Sequence, residues 1–198
     1  AYHARLTDYQ LRTIYCTLKY KRFADNLTMG TGKTLNSIVK YLILRDLGLV
    51  KKRMLFIINS ANGVITLMDE VEKWTGLHYQ KFPTDLEFDE DADIIIGTYD
   101  AIRIAGNRQI GSRKQSTLNN QNIDFIREHF DFVVYDESHA LANPESNNTK
   151  TSNALTNPNV FDGYVTVMTG TITDADVSKI WSQMYIADGG LTFGESLA

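Results

Sequence analysis

The chain has 198 residues, 43% hydrophobic and 22% charged, with a formal net charge of −4. These proportions suit a soluble globular α/β domain with one well-buried core, and no apolar run approaches a membrane span. The start does not resemble a signal peptide and Cys16 is the single cysteine, so an intracellular protein without internal disulfides or a membrane partner is expected, and any nucleic-acid partner would need a local basic face.

Residues 7–19 read as an amphipathic helix, with Leu11, Ile14, Tyr15 and Leu18 on one stripe. Thr7-Asp8-Tyr9-Gln10 fits a capping box, which gives Gln10 a structural task. The same amide can also present a donor and an acceptor to an adenine edge. Cys16 lies off the stripe and receives no role. Residues 22–27 are short, mixed in polarity and compatible with a strand.

Met29-Gly30-Thr31-Gly32-Lys33-Thr34 comes next. Two glycines two apart, then Lys and a hydroxyl residue, form the core of a phosphate-cradling loop. The glycines let backbone N–H groups close around a β-phosphate without side-chain collision. Lys33 can reach β- and γ-phosphates, and the Thr34 hydroxyl can take one Mg²⁺ position. Residues 36–47 carry Ile38, Val39, Leu42 and Ile43 at helical spacing, so the loop delivers phosphates to a helix N-terminus. A strand before and a helix after are the context a nucleotide loop requires.

Gly48 stops that helix. Lys51-Lys52-Arg53 reads as a solvated turn before 54–58, an unbroken apolar run suited to a buried parallel strand. Asn59-Ser60-Ala61-Asn62-Gly63 is a loop with capping residues, and a helix is expected over 64–74. Polar groups at that strand's carboxyl end are well placed to hold phosphates of a second ligand. Residues 84–93 are dense in acids but lack the Gly and terminal Glu of a calcium loop, so they read as a solvated connection. Another buried strand, 94–96, ends in Gly97-Thr98-Tyr99, with a short helix following through Ile104.

The polar stretch 106–122 holds Arg108, Arg113 and Lys114 without an acid. It is either a surface loop or an insertion that reaches a nucleic-acid backbone. A brief helix over 123–130 leads into a third buried strand, 132–135, which ends in Asp136-Glu137-Ser138-His139. An apolar strand delivering Asp-Glu is the partner a phosphate loop needs. Asp136 can hold Mg²⁺ through its water shell, and Glu137 can orient and deprotonate the attacking water. Residues 141–159 read as loop, a short helix near 150–155, and loop. A fourth strand over 164–168 ends in Thr169-Gly170-Thr171, and a helix over 174–186 places Val177, Ile180, Trp181 and Met184 on a core stripe. His3, His78, His129 and His139 share no metal-ligand spacing, and there is no Gly-x-Ser-x-Gly elbow.

Taken in order, these pieces resemble the first RecA-like lobe of a superfamily-two helicase, and most of all the Swi/Snf-type double-stranded-DNA translocases. Tyr9-Gln10 resembles that family's adenine-contacting Gln motif, and residues 29–34 its first motif. Glu70-Val71-Glu72-Lys73-Trp74 resembles its Glu-x-x-Lys-Trp helix, Gly97-Thr98-Tyr99 its Thr-Tyr motif, Asp136 to His139 its Asp-Glu-x-His box, and Thr169-Gly170-Thr171 its Thr-Gly-Thr motif. The stretches 181–186, 189–190 and 193–194 also resemble the segment beyond that last motif in the family. Leu27 is atypical, Asn59-Ser60 stands where Cys-Pro is usual, Ser138 where Ala or Gly is, and Ile172 where Pro is. None of these departures removes a group that touches phosphate or metal.

The resemblance implies a three-layer RecA-like P-loop domain with a mostly parallel central sheet and helices on both faces. It implies a single ATP-binding lobe over 1–198, a piece of a longer chain whose second RecA-like lobe supplies arginine fingers. It implies ATP with Mg²⁺ as cofactors, and hydrolysis coupled to movement on nucleic acid, most of all double-stranded DNA. Lys33, Asp136 and Glu137 would be catalytic; Gln10, Met29, Gly30, Thr31, Gly32, Lys33 and Thr34 would bind the nucleotide, and Thr34 and Asp136 the metal. His139, Thr169, Gly170 and Thr171 would relay nucleotide state, while Asn59, Ser60, Thr98 and Tyr99 would contact the nucleic-acid backbone. An RNA helicase, a restriction-system motor and a non-catalytic nucleotide-gated module remain alternatives.

Overall fold

The computed structural model describes residues 6–26, 30–107, 120–170 and 177–194. Expectations placed on Leu27, Met29, Arg108, Arg113, Lys114, Thr171 and Ile172 lie outside these residues. In chain order the elements are α1 (Asp8–Tyr20), β1 (Arg22–Asp25), α2 (Lys33–Asp46), β2 (Arg53–Ile58), α3 (Ala61–Trp74), β3 (Tyr79–Lys81) and β4 (Ile94–Thr98). Then come α4 (Tyr99–Asn107), α5 (Asn120–Glu128), β5 (Phe130–Tyr135), a 3₁₀ turn (Ser138–Leu141), α6 (Asn147–Thr156), β6 (Tyr164–Met168) and α7 (Val177–Asp188).

The strands form one six-stranded sheet in the order β1-β6-β5-β2-β4-β3, every neighbouring pair parallel. Parallel strands need crossover connections, so helices cover both faces and the central strands must be apolar on both sides. Alternation along the strands sorts the core into two layers. Met54, Phe56, Ile94, Ile96, Phe132, Val134 and Met168 pack with Ile38, Tyr41 and Leu44 of α2 and Val64, Leu67 and Val71 of α3. Leu55, Ile57, Ile95, Val133, Tyr135, Val165 and Val167 pack with Ile102, Ile123, Ile126, Leu155 and Ile186 of α4 to α7. Three layers with a parallel sheet are the α/β architecture expected, and because every strand runs the same way, all carboxyl ends share one rim. None of the described helices is long and apolar enough to cross a membrane.

Three local expectations are corrected. On α1 the buried residues are Gln10, Thr13, Ile14 and Thr17, while Leu11 is 50% and Tyr15 64% exposed. The reason is that α1 packs against polar groups: the Asn36 amide of α2 donates to the Thr13 hydroxyl at 2.5 Å. On α2, likewise, Leu42 is exposed and Asn36, Ser37 and Lys40 are buried. On α7, Ser182, Ile186 and Ala187 face inward, and half-buried Trp181 instead stacks on Tyr185 and donates its Nε1–H to the Gly194 carbonyl. The structure also adds β3, and it anchors the acidic connection at 84–93 through Phe88, whose ring meets Phe130 edge-on at 5.3 Å.

Two cations fasten helices to the sheet. Lys40 Nζ lies 3.0 Å from Asp25 Oδ2 with both side chains fully buried, tying α2 to the end of β1 on either side of the glycine loop. Arg22 donates to the carbonyls of Thr156, Ile186 and Ala187, where α6 and α7 end, and to that of Phe161 in the loop after α6. Those terminal carbonyls have no intrahelical partner and carry the negative end of the helix dipole, which a guanidinium complements.

Candidate functional site

The glycine loop meets α2 without a side-chain cap. Gly30 and Gly32 stand at φ 78° and 74°, in the left-handed region that only glycine enters at little cost. Gly32 is the N-cap and makes no side-chain cap hydrogen bond. The Gly32 carbonyl already accepts from Asn36 N at 2.9 Å, so the helix is wound from its first turn with its amino end open to the cleft. A Cβ at Gly32 would stand 3.0 Å from Gln10 Nε2.

Gln10 performs the capping task expected of it and also holds the phosphate loop. Its Oε1 accepts from Thr7 N at 2.9 Å, completing the capping box of α1. Its Nε2 donates to the Thr31 carbonyl at 3.1 Å, fastening α1 to the phosphate loop. One N–H and one lone pair of the amide are not used by these bonds.

A cleft of about 440 Å³ opens at this rim. Gly30, Gly32, Lys33, Thr34 and Leu35 form one wall, Asp136 and Glu137 another, and Glu70 and Trp74 of α3 a third. Lys33 is therefore brought to the same cleft as the two carboxylates that follow β5. Sequence reasoning assigns Glu70 and Trp74 no site role; the Glu-x-x-Lys-Trp spacing of their helix is the signal that could have found them.

The carboxylates are held by backbone. Asp136 N donates to the Ile57 carbonyl at 2.8 Å, extending the β5–β2 ladder by one residue. Asp136 Oδ1 accepts from Glu137 N at 2.9 Å. Burial pushes the Asp136 carboxyl up to about 6. The Glu137 amide and the Lys33 charge oppose that rise, whereas the Glu137 and Glu70 charges add to it. The cleft is thus rich in negative charge and would gain from a cation. Glu137 sits at φ 51°, and its Oε2 is buried without a hydrogen-bond partner. His139 Nδ1 lies 3.2 Å from that oxygen, close enough for charge attraction but out of hydrogen-bond alignment. Ser138, where the resemblance expects Ala or Gly, donates its hydroxyl to Gln183 Oε1 at 2.7 Å and ties the 3₁₀ turn to α7.

Thr169 is 3% exposed, and its amide donates to the Asp25 carbonyl at 3.4 Å, bringing the end of β6 beside the start of the glycine loop; Gly170 follows it. Asn59 and Ser60 are exposed one step beyond β2, and Ser60 caps α3 by accepting from Gly63 N at 3.1 Å. Thr98 pairs with Ile58 in the sheet and caps α4 by accepting from Ala101 N at 3.1 Å. These three residues form a polar edge on the same rim. Tyr99 differs from these three: it is 3% exposed, and its hydroxyl donates to the Asp136 carbonyl at 2.9 Å. Its side chain faces the core.

Residues 3–173 match the family described as Type III restriction enzyme, res subunit. The chain belongs to that family. Among curated proteins none matches it. The Res-family domain is similar in fold to the Sulfolobus solfataricus SWI2/SNF2 ATPase core in complex with dsDNA, at 20% identity and a TM-score of 0.72, covering 98% of this chain and 37% of that one. It is also similar to the SWI2/SNF2 ATPase core domain from the same organism, at 21% identity and a TM-score of 0.69, covering 97% and 36%. The UvsW helicase from bacteriophage T4 aligns at 16% identity and a TM-score of 0.65, covering 93% and 58%. The Res-family domain thus has the fold of the first RecA-like lobe of superfamily-two helicases, and it spans well under two thirds of each of these solved chains. Family membership brings nucleotide use with it.

Proposed function

We propose that this domain is the ATP-binding lobe of a nucleic-acid motor that hydrolyses ATP at the rim where the strands end. The observation that carries the reading is the single cleft shared by Lys33, Thr34, Asp136 and Glu137. Magnesium would bring charge neutralisation to the phosphates. The residues present fit it. Asp136 is a carboxyl raised chiefly by burial, with the Glu137 and Glu70 charges adding to it, Thr34 supplies a hydroxyl, and Glu137 has an orphaned buried oxygen. Among the described residues no three His, Cys, Asp or Glu side chains converge into a metal cage of their own. A hard cation here would complete its shell with phosphate oxygens and water.

The loop amides at 30–34 and the amino end of α2 would bind the phosphates, with Met29 as the loop's preceding residue. Lys33 would stabilise charge on the transferring phosphoryl group. Glu137 would orient the attacking water and take its proton. Gln10 would offer its remaining N–H and lone pair to adenine. His139, adjoining Glu137, together with Thr169, Gly170 and Thr171, would pass nucleotide state to Asn59, Ser60 and Thr98 on the bound strand. A second RecA-like lobe would supply arginine fingers, commonly worth about 10³–10⁵ in rate, so this lobe alone should hydrolyse ATP slowly.

Double-stranded DNA is the proposed partner, supported by the Swi/Snf-like motif order and by the fold shared with a core solved on dsDNA. The family match favours a restriction-system motor as the setting. The test is ATPase stimulation of the full-length protein by duplex DNA, single strands and RNA. Duplex should stimulate most, and Lys33→Ala should abolish the stimulated rate; an unaffected variant would remove the site assignment.

A further inference from the structure

We infer that Tyr99 is a positioning residue for hydrolysis: its buried hydroxyl fixes the Asp136–Glu137 peptide and so aims both carboxylates into the cleft. The inference rests on the nucleotide reading of that cleft. Tyr99 opens α4 directly after β4, and its ring stacks on Tyr135 with centroids 6.2 Å apart and planes 16° from parallel. This packing holds the hydroxyl 2.9 Å from the Asp136 carbonyl, 37 positions away in sequence. The neighbouring amides are also committed, Asp136 N to the Ile57 carbonyl and Glu137 N to Asp136 Oδ1. Two hydrogen bonds therefore hold the Asp136–Glu137 peptide itself, and a third fixes the peptide before it.

That orientation is not one the chain would take unaided. Glu137 has a side chain and yet stands at φ 51°, which persists only where the surroundings over-determine the backbone. Of the three bonds, the one from Tyr99 is the only one made by a side chain from another element. A carbonyl oxygen can only accept, so the Tyr99 hydroxyl is committed as donor. Without it the Asp136–Glu137 peptide loses the one bond supplied by a side chain of another element, and the carboxylates lose part of their aim. The phosphate loop is a separate segment and should be untouched.

The experiment compares Tyr99→Phe with Tyr135→Phe in the full-length protein. Tyr135 is an equally buried tyrosine whose hydroxyl bonds to the Ser152 carbonyl and the Thr156 hydroxyl, away from the cleft. Tyr99→Phe should lower kcat by about tenfold, the scale of one lost buried hydrogen bond, with KM for ATP and the half-saturating nucleic-acid concentration each within about twofold. Tyr135→Phe should lower thermal stability to a similar extent and leave kcat within about twofold. Equal losses of kcat in both variants, or an unchanged kcat in Tyr99→Phe, would overturn the inference. So would an effect confined to nucleic-acid half-saturation. If Lys33→Ala also left hydrolysis intact, the reading of the cleft would fall rather than the role of Tyr99 within it.

Discussion

The two rims of the sheet carry cavities of nearly equal size and opposite character. At the carboxyl rim, about 440 Å³ is walled by a lysine, a glycine loop and three carboxylates, of which burial raises Asp136. At the amino rim, about 450 Å³ is lined by Lys21, Lys52, Arg127, Glu128, Asp131, Asp162 and apolar or aromatic neighbours. There two of the three cations are paired, while Asp131 Oδ1 is buried without a hydrogen-bond partner. Lys21 pairs with Asp162 at 2.9 Å, Arg127 with Asp124 at 2.8 Å while donating to the α6 carbonyls, and Asp131 accepts from the amides of Lys51 and Lys52. Backbone at positive φ occurs on both rims, at Gly30, Gly32 and Glu137 on the first and at Lys21 on the second. Size does not distinguish a site from a crevice; a glycine loop facing a buried, raised carboxyl does.

This contrast can be broken at either rim. The largest effect is expected from Glu137→Gln, which keeps shape and removes the base: stimulated kcat should fall by about 10²–10⁴-fold with nucleotide affinity retained. Steady-state rates beside binding titrations would check it. Next comes the anchor behind the loop. Lys40→Met leaves Asp25 buried and uncompensated, and equilibrium unfolding in urea should show a loss of about 3–5 kcal/mol. Replacing Asp25 by Leu as well should restore most of it, since the pair itself contributes little net stability. The smallest effect belongs to the amino rim, where Asp162→Asn breaks an exposed pair and should change neither kcat nor the unfolding midpoint measurably. A large effect there would erase the distinction between the rims.

Much of the carboxyl rim is legible in the sequence because its chemistry is local. Two glycines, a lysine and a threonine must lie within a few residues to cradle a phosphate, and Asp136 and Glu137 must close an apolar strand. The buried strands are legible for a similar reason: apolar runs such as 54–58 have no other place in a soluble domain. What escaped depends on partners distant in sequence. The inward face of α1 is polar because Asn36 lies opposite Thr13, so the apolar stripe of Leu11 and Tyr15 marks the outer side. Strand β3 is three residues on an edge, too short for a pattern. The burial of Tyr99 follows from Tyr135 and Asp136 lying on the strand two places away in the sheet, which its own Thr-Tyr spacing does not encode.

Amide hydrogen exchange with and without a magnesium-bound, non-hydrolysable ATP analogue tests the central claim most directly, because it reads both rims in one experiment. The account predicts slowed exchange at residues 30–36 and 136–139 and no change at residues 160–164. Slowed exchange at 160–164 with none at the glycine loop would contradict it.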